Sequence, residues 1–410
     1  MRILFLTHRM PYPPNKGERI RAFYELKHLA ARHEVDVFCL ADSTEEIKHT
    51  EDLKQICNEV HVECPGRLGR TLRAFRSFVS GRPISFGYFE SSELRQAVHQ
   101  ALSQRSYQLI FVNCSSMAQY VPQPAPAPVI VDFVDADSNK FVQYAAHTAP
   151  PQKWIHTLEA GRVAKAEREI GRLADLSLVV TASDAADLGG PGWTGSEIKV
   201  VGAGVEIPPV SSVIDSSVLR HQPFALFLGT MSYLPNADAV QYFAEEIYPI
   251  VRFLNPQLKF VIAGRDPGKQ VRNLAQIPGV VVTGAVSDAF QYFRAATISV
   301  APFRISQGFQ NKVAESLAVG TPVVATRRVA SGVGLSEREG LFVAESAPDF
   351  AHKVAAVAGD RPLLAKLRGS ASEVRKQLSW ELRLSNLDRC LEQVTSKNSA
   401  QGVLTSVVGH

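Results

Sequence analysis

The sequence has little of what defines several classes of protein. Its five cysteines (Cys39, Cys57, Cys64, Cys114 and Cys390) form no Cys-x-x-Cys pair, which argues against a disulfide framework and a thiolate zinc site. No segment approaches the roughly 18 consecutive apolar residues of a membrane-spanning helix. Basic residues outnumber acidic ones by only 44 to 40, which is too small an excess for a dedicated nucleic-acid binder. We therefore expect a cytoplasmic protein without a nucleic-acid partner.

The 410 residues are 45% hydrophobic and 20% charged, a composition typical of soluble globular proteins with a large core. This length predicts two or three domains. The first apolar run, Met1–Thr7, stops at His8 and Arg9. It is too short for the core of a signal peptide and predicts a buried first strand.

Short β-branched runs alternate with helical stretches in two series, which predicts parallel sheets built from βαβ units. The predicted strands are Ile3–Thr7, Glu34–Leu40, Glu59–Cys64, Leu109–Asn113, Val129–Val134, Leu176–Thr181 and Lys199–Val201, then Phe224–Gly229, Lys259–Ala263, Val280–Thr283, Ile298–Ala301, Pro322–Ala325 and Leu341–Val343. The Pro/Ser-rich stretch Val205–Ser217 separates the two series. We therefore predict two doubly wound α/β domains that face one another.

The predicted boundaries follow from this division. A first domain covers 1–205, a linker 206–222 and a second domain 223–376. Trp380, Leu384, Leu387 and Cys390 share one helical face, which predicts a helix over 377–396 that crosses back to the first domain. We expect a poorly ordered tail over 397–410.

Ligands of open parallel sheets bind outside the carboxyl ends of the strands. The most informative loop there follows Ile298–Ala301 and leads through Gly308 and Phe309 into a helix. Exposed N–H groups at Gly308 and Phe309 are suited to a phosphate or a sugar hydroxyl. Lys312 and Glu315 share a face of that helix, so that the ammonium can meet a diphosphate while the carboxylate accepts both hydroxyls of a ribose.

A second group of polar residues follows the strand at Val129–Val134. Asp132, Asp135 and Asp137 place carboxylates at its carboxyl end, and Asp135 and Asp137 are candidates for an active site. The alternative for Asp137, or for Ser138, is an ordinary N-cap of the next helix. Glu159 and Glu167, on a long charged helix, are expected on its solvated face.

The segment that ends in Glu315-Ser316-Leu317-Ala318-Val319-Gly320-Thr321-Pro322-Val323-Val324 resembles the donor-binding motif of retaining GT-B glycosyltransferases of family four. That motif is Glu, seven residues, Glu, then Gly-x-Pro-Val-Val. Its second acidic position falls on Glu315, while the first falls on Gln307, which weakens the contact with the transferred sugar that the family implies there. The resemblance implies a GT-B fold, with two Rossmann-like domains facing a central cleft.

The resemblance extends over most of the chain. Pro13–Arg21 is similar to the family's glycine loop, with Gly17 approaching the donor phosphate, and Val282–Val286 is similar to the turn that binds the base, which includes Val286. Gly229 and Thr230 end the first strand of the second domain. Many members grip the diphosphate with Arg and Lys where this sequence has Thr230 and Asn236. We expect Lys312, together with Arg265, to take the place of these cations.

Three segments, Gln307–Val313, Gly229–Asn236 and Asp135–Ser138, have sequences similar to those of sugar transferases of bacterial exopolysaccharide and exosortase (PEP-CTERM) systems. The implied reaction moves a sugar from a nucleotide sugar, UDP favoured over GDP, to a glycan or polyprenyl-linked acceptor with retention. It requires no metal and no strong general base. Asp135 would bind the acceptor hydroxyl or stabilise positive charge on the anomeric carbon. Lys312 would stabilise the leaving diphosphate. The alternatives are a nucleotide-sugar epimerase of the same architecture and a non-catalytic binding subunit.

The region Arg67–Arg76 combines a cationic and an apolar face. Leu68, Leu72, Phe75 and Val79 fall at helical spacing beside Arg67, Arg70, Arg73 and Arg76. One interpretation is peripheral contact with the inner face of the cytoplasmic membrane. The other, which we favour, is a surface helix packed on its own domain.

Overall fold

The computed structural model describes residues 1–15, 17–208 and 214–407. The chain divides into two units: Met1–Gly202 with the chain from Leu384 onward, and Ala203–Arg383. The expected linker, 206–222, thus falls in the second unit. There Asp215 caps a short helix by accepting a hydrogen bond from the Ser217 N–H at 2.7 Å. Residues 209–213 of that linker lie outside the described residues.

In the first unit, the described residues form one parallel sheet of seven strands in the order β3-β2-β1-β4-β5-β6-β7. The strands are β1 (Arg2–Thr7), β2 (Glu34–Leu40), β3 (Glu59–Glu63), β4 (Leu109–Asn113), β5 (Val129–Asp132), β6 (Leu176–Val179) and β7 (Ile198–Val200). The helices are α1 (Gly17–Ala30), α2 (Thr44–Ile47), α3 (Thr50–Lys54), α4 (Arg67–Val79), α5 (Ile84–Tyr88), α6 (Ser92–Gln104), α7 (Asp137–Ala146), α8 (Gln152–Leu173) and α9 (Ala182–Leu188), with a 3₁₀ helix over Ser115–Tyr120.

In the second unit, the part of the chain that the structure describes forms a parallel sheet of six strands in the order β10-β9-β8-β11-β12-β13. These are β8 (Phe224–Leu228), β9 (Lys259–Ala263), β10 (Val280–Gly284), β11 (Ile298–Ala301), β12 (Val323–Thr326) and β13 (Leu341–Ala344). The helices are α10 (Ser216–Leu219), α11 (Leu234–Tyr242), α12 (Tyr248–Leu254), α13 (Lys269–Asn273), α14 (Ala289–Ala295), α15 (Asn311–Ala318), α16 (Arg327–Val333), α17 (Ala347–Gly359), α18 (Arg361–Gly369) and α19 (Ala371–Gln377). A π-helical segment covers Phe243–Ile247, and 3₁₀ turns cover Leu274–Gln276 and Glu337–Glu339.

The central strands are apolar without alternation because helices cover both faces of each sheet. Ile3–Leu6 of β1 and Phe224–Phe227 of β8 are completely buried. In the second unit, Phe243 lies 4.5 Å from Phe260 between ring centroids and contacts Tyr248 and Phe350. The prediction of two separate doubly wound sheets is confirmed.

Each sheet reverses its strand order once, and this fixes where ligands can enter. In the first unit the order reverses between β1 and β4, and in the second between β8 and β11. The loops that leave such neighbouring strands run in opposite directions and open a crevice at the carboxyl edge of the sheet. The loops after β8 and β11 are therefore where a ligand of the second unit would bind.

A buried charged network ties α1 to the first sheet. Arg21 forms ion pairs with Glu25 at 3.0 Å and with Asp132 at 2.6 Å, and it donates to the Val201 carbonyl at 2.9 Å. Asn113 donates to Glu25 at 2.9 Å. Burial opposes the charge of Arg21, but the two carboxylates raise the pKa of this guanidinium above its usual value.

The last helix, α20 (Trp380–Val407), belongs to the first unit from Leu384 onward. Leu384, Leu387, Cys390, Leu391 and Val394 are buried, and Asp388 accepts hydrogen bonds from His28 of α1 at 2.8 Å and from Arg32 at 2.5 Å. The helix runs past residue 396, where we expected a tail to begin, and residues 408–410 lie outside the described part. In the described residues no helix is both long and apolar enough to cross a membrane.

Replacing Arg21 with Met should destabilise the first unit by about 3–5 kcal/mol, because two buried carboxylates lose their cation. Urea unfolding followed by circular dichroism measures the change. The matched control is Lys48→Ala, which removes an exposed pair with Glu45 at 3.0 Å and should cost at most about 0.5 kcal/mol. Equal losses in the two variants would contradict a structural role for the buried network.

Candidate functional site

The turn after β8 is closed by a side chain. Gly229 donates from its N–H to the Ala263 carbonyl at 3.0 Å, and Met231 to that of Arg265 at 2.9 Å. The chain then enters α11, where the buried Asn236 donates through Nδ2 to the Thr230 carbonyl at 2.8 Å. This bond leaves the amide oxygen Oδ1 directed toward another partner.

Lys312 of α15 supplies that partner. Its Nζ donates to Asn236 Oδ1 at 2.6 Å and lies 4.6 and 5.0 Å from the ring centroids of Phe227 and Phe303. The ammonium thus joins the loops after β8 and β11, at the reversal of the second sheet. Gly229 leaves room for it, because a Cβ there would lie 2.8 Å from Lys312 Nζ.

Burial shifts the protonation of both charged groups on α15. Removal from water lowers the pKa of Lys312 to about 7, although the neighbouring Glu315 opposes this shift. The same cause raises the pKa of Glu315 to about 7, opposed by Lys312. Both groups therefore change charge near neutral pH, and a ligand that supplies an opposite charge or a hydrogen bond can shift either one.

The backbone around α15 explains the Gly-x-Pro pattern. Val313, Ala314, Leu317 and Ala318 are buried, so Lys312 and Glu315 lie on the opposite face. The helix is tied to β11 by a 2.8 Å hydrogen bond from Ser316 to Ser299. Gly320 ends it with a φ of +83°, and a Cβ there would lie 2.7 Å from Arg368 Cα. Only glycine fits this turn.

The loop before α15 is held by a cation that the sequence analysis missed. Arg328 of α16 donates to the Ser306 carbonyl and to Gln307 Oε1, each at 2.7 Å. Gly308 has a φ of +68°, and Phe309 packs against the core of the unit. The sequence feature that could have revealed Arg328 is the pair Arg327-Arg328 directly after a strand, at the carboxyl edge of the sheet.

The other predicted donor-binding residues are spread over the two units. Arg265 donates from Nε to Thr230 Oγ1 at 3.2 Å and is half exposed, so it joins Lys312 beside the β8 turn. Val286, between β10 and α14, is half-buried against a core that contains Phe293. Gly17 is the first residue of α1 in the first unit.

In the first unit, the loop after β5 carries Asp135 and Asp137. Asp137 is the first residue of α7 and forms an ion pair with Lys140. The N-cap residue is Ala136, so the N-cap interpretation of Asp137 and Ser138 is wrong. Burial raises the pKa of Asp135 well above its usual value; Lys140 opposes the shift, and the negative charges of Asp137, Asp184 and Glu167 add to it.

Glu159 and Glu167 are buried, so their predicted place on a solvated face is wrong. Glu167 accepts a hydrogen bond from the Ser138 N–H at 3.0 Å, and Glu159 accepts one from the Ile84 N–H at 2.6 Å. Each satisfies a backbone donor on a neighbouring segment, which a helical charge pattern cannot reveal. Burial raises the pKa of Glu167 to about 7.

Two further features mark this edge of the first sheet. His8, directly after β1, interacts electrostatically with Asp137 and Lys140, and burial, with the nearby charge of Arg9, lowers its pKa to about 3. Val134 has a φ of +67°, a left-handed conformation that is strained for a β-branched residue. Backbone strain of this kind clusters at functional sites. His8 was missed because its distance from Asp137 in the sequence hid their proximity.

The two edges differ in chemistry. The second unit offers a desolvated ammonium and a carboxyl group beside backbone turns, an arrangement suited to a phosphorylated ligand. The first offers a group of carboxyl residues with Lys140. Among residues 1–15, 17–208 and 214–407, no group of three or more His, Cys, Asp or Glu could hold a metal ion.

One protein family matches part of the chain. Residues 222–360, which carry the β8 turn and α15, match the family described as "Glycosyl transferases group 1". The match lies within the second unit and supports sugar transfer as the activity. No match was found among curated protein sequences.

Solved structures match the chain over nearly its whole length. Sucrose-phosphate synthase from Thermosynechococcus elongatus has a TM-score of 0.64 at 15% identity, covering 97% of this chain and 99% of that one. Alr3699/HepE from Anabaena, in complex with UDP and glucose, has a TM-score of 0.63 at 17% identity, with coverage of 96% and 100%. A glycosyltransferase from Rickettsia africae has a TM-score of 0.59 at 12% identity, with coverage of 96% and 98%. The chain has the GT-B fold. Each of its two units, with one parallel sheet, corresponds to one Rossmann-like domain of that fold.

Replacing Gly229 with Ala should return Lys312 to water, because the new methyl group would lie 2.8 Å from both Lys312 Nζ and Asn236 Nδ2. We expect the pKa of Lys312 to rise from about 7 toward 10.5, measured by NMR titration of its side chain. Gly268→Ala is the control, since a Cβ at Gly268 meets nothing within 4 Å. An unchanged titration in Gly229→Ala would contradict burial at the β8 turn as the cause of the lowered pKa.

Proposed function

We propose that this protein transfers a sugar from a nucleotide-sugar donor to an acceptor hydroxyl group. The observation that carries the proposal is the Lys312 ammonium, held by Asn236 at 2.6 Å with Glu315 on the same helical face, at the strand reversal of the second unit. The family match over 222–360 supports it. So does the similarity to HepE, whose structure contains UDP and glucose.

In this proposal the second unit binds the donor. Lys312 faces the diphosphate, with Arg265 as a second cation beside Thr230, and N–H groups of Gly308 and Phe309 complete the contact. Glu315 accepts the ribose hydroxyls. As the bond between the anomeric carbon and the diphosphate breaks, negative charge grows on the leaving phosphate, and a fixed cation stabilises that charge most in the transition state.

The acceptor is assigned to the first unit. Burial favours the protonated form of Asp135, and a protonated carboxyl group donates a hydrogen bond to an acceptor oxygen but does not stabilise positive charge on the anomeric carbon. Of the two roles expected for Asp135, acceptor binding is therefore the one we propose. The acceptor proton passes to the leaving phosphate on the same face of the sugar, so the anomeric configuration is retained.

The resemblance to transferases of exopolysaccharide systems leads us to propose a UDP-sugar as donor and a glycan or polyprenyl-linked acceptor. Calorimetry with UDP-glucose, UDP-N-acetylglucosamine and GDP-mannose tests the donor, and release of the nucleoside diphosphate tests turnover. Turnover that requires an acceptor supports a transferase. Epimerised donor without an acceptor would indicate an epimerase, and binding without turnover a non-catalytic subunit. NMR of the product's anomeric signal tests retention.

Lys312→Ala should lower turnover roughly 100-fold, with a smaller loss of donor affinity, because its contact strengthens as the bond breaks. Steady-state kinetics and calorimetry on the same preparation measure the two effects. The control Lys376→Ala removes an exposed lysine of the same unit and should change neither. Equal losses of turnover and affinity in Lys312→Ala would contradict the role in catalysis.

Donor affinity should be greatest near pH 7 and fall on both sides. Lys312, with a pKa of about 7, loses its charge as the pH rises, and Glu315, also near 7, loses its charge as the pH falls. UDP-glucose is the right probe because its diphosphate is esterified at both ends and lacks the second ionisation of a terminal phosphate, near pH 6.

The two limbs of this profile can be separated by substitution. Calorimetry across pH should show that Lys312→Met removes the alkaline fall in affinity and that Glu315→Gln removes the acidic fall. If either variant keeps both limbs, the group replaced does not control donor binding.

A further inference from the structure

Helix α4 presents its apolar face to water. Leu68, Leu72, Phe75 and Val79, at helical spacing, are 76%, 61%, 66% and 69% exposed. Single exposed apolar residues are ordinary, but a continuous stripe marks a surface that another body covers.

The opposite side of α4 fixes it in this orientation. Arg70, Ala74 and Ser77 are the buried residues of the helix. The Arg70 guanidinium donates to the Pro65 carbonyl and to Asp42, each at 3.0 Å, and lies over the Tyr88 ring at 5.4 Å. The helix is indeed packed on its own unit, as one of the two interpretations expected, but through its polar side.

Helix α8 extends the apolar stripe. Arg162 of α8 donates to the Phe78 carbonyl at 2.8 Å and stacks over that ring at 4.7 Å, which holds α8 against the end of α4. Trp154 and Leu158 are 68% and 46% exposed, and together with Gly81 they line a cavity of about 480 Å³. We call the exposed residues of this surface the α4–α8 face: Leu68, Leu72, Phe75, Val79, Trp154 and Leu158.

The exposed charges around the α4–α8 face are mainly positive. Residues 67–82 contain five arginines and no acidic residue; Arg67 and Arg76 are exposed, and Arg82 lies 3.6 Å from Glu90. On α8, Lys153 and Lys165 are exposed, Lys165 lies 3.9 Å from the exposed Glu169, and Glu159 is buried. A second copy of the chain would bring arginines against arginines if it docked here by twofold symmetry. An anionic surface with an apolar interior would complement both the positive charge and the apolar stripe.

We propose that the α4–α8 face docks on the surface of an anionic lipid bilayer. The apolar side chains enter the boundary between headgroups and acyl chains, the arginines and lysines contact lipid phosphates, and Trp154 lies at the interface, the position that tryptophan favours. The inference does not depend on the transferase activity, and its test needs no substrate.

Flotation of the full chain with vesicles tests the proposal. We expect binding to vesicles of phosphatidylcholine and phosphatidylglycerol in equal parts, and little binding to phosphatidylcholine alone. High salt should weaken the binding because it screens exposed charges. Binding of equal strength to both vesicles would overturn the electrostatic part of the proposal, and no binding to either would overturn the proposal as a whole.

Substitutions distinguish binding through this face from non-specific adsorption to vesicles. Leu72→Gln with Phe75→Gln should reduce the vesicle partition coefficient at least about tenfold, since two apolar side chains no longer enter the lipid. Arg67→Gln with Arg76→Gln should reduce that coefficient roughly thirtyfold at low salt. Phe253→Gln is the control, because Phe253 is 85% exposed in the second unit, and it should float like the unaltered protein.

The same variants test the other occupants of the surface. Sedimentation of the protein without vesicles should show no self-association that depends on Leu72 and Phe75. A dimer abolished by their replacement, together with unchanged flotation, would assign the α4–α8 face to a second copy and overturn the lipid proposal. All four substituted positions are exposed, so circular dichroism should show unchanged folding.

Discussion

An ammonium group held out of water governs the chemistry of the second unit. Desolvating a cation is costly, and Lys312 meets this cost with the Asn236 amide oxygen at 2.6 Å and the faces of Phe227 and Phe303. These neighbours are neutral, and the carboxyl group that acts on the lysine, Glu315, is itself shifted toward its uncharged form by burial. In the proposed function a phosphate of the ligand supplies the negative charge, and the cation is already in place when the ligand arrives. Such preorganisation costs no rearrangement during a reaction.

Much of the local architecture follows from this constraint. Gly229 has no side chain because the ammonium occupies the space that a Cβ would need. The amide of Asn236 has two tasks, closing the β8 turn and orienting Lys312. An uncharged side chain at position 236 therefore positions the charge at 312.

In the first unit, burial acts on carboxyl groups and not on an ammonium group. Carboxyl groups gathered after β5 and on α8 are removed from water near one another, and burial favours the neutral forms of Asp135 and Glu167. One edge therefore carries a buried cation beside Glu315, and the other carries carboxyl groups for which burial favours the protonated form. In the proposed function, the cation serves the leaving diphosphate and a protonated carboxyl group serves the acceptor hydroxyl.

The sequence alone determined the alternation of strands and helices, both sheets, and the pairing of Lys312 with Glu315 on one helical face, because hydrophobic periodicity and helical spacing are local properties. Tertiary structure decided what each face meets. Periodicity grouped Leu68, Leu72 and Phe75 correctly but did not show that they face water, and it placed Glu167 on a face that is in fact buried. The joining of Asn236 to Lys312 was likewise hidden, since 76 residues separate them. Such contacts depend on how elements distant in sequence pack, and no local pattern encodes that.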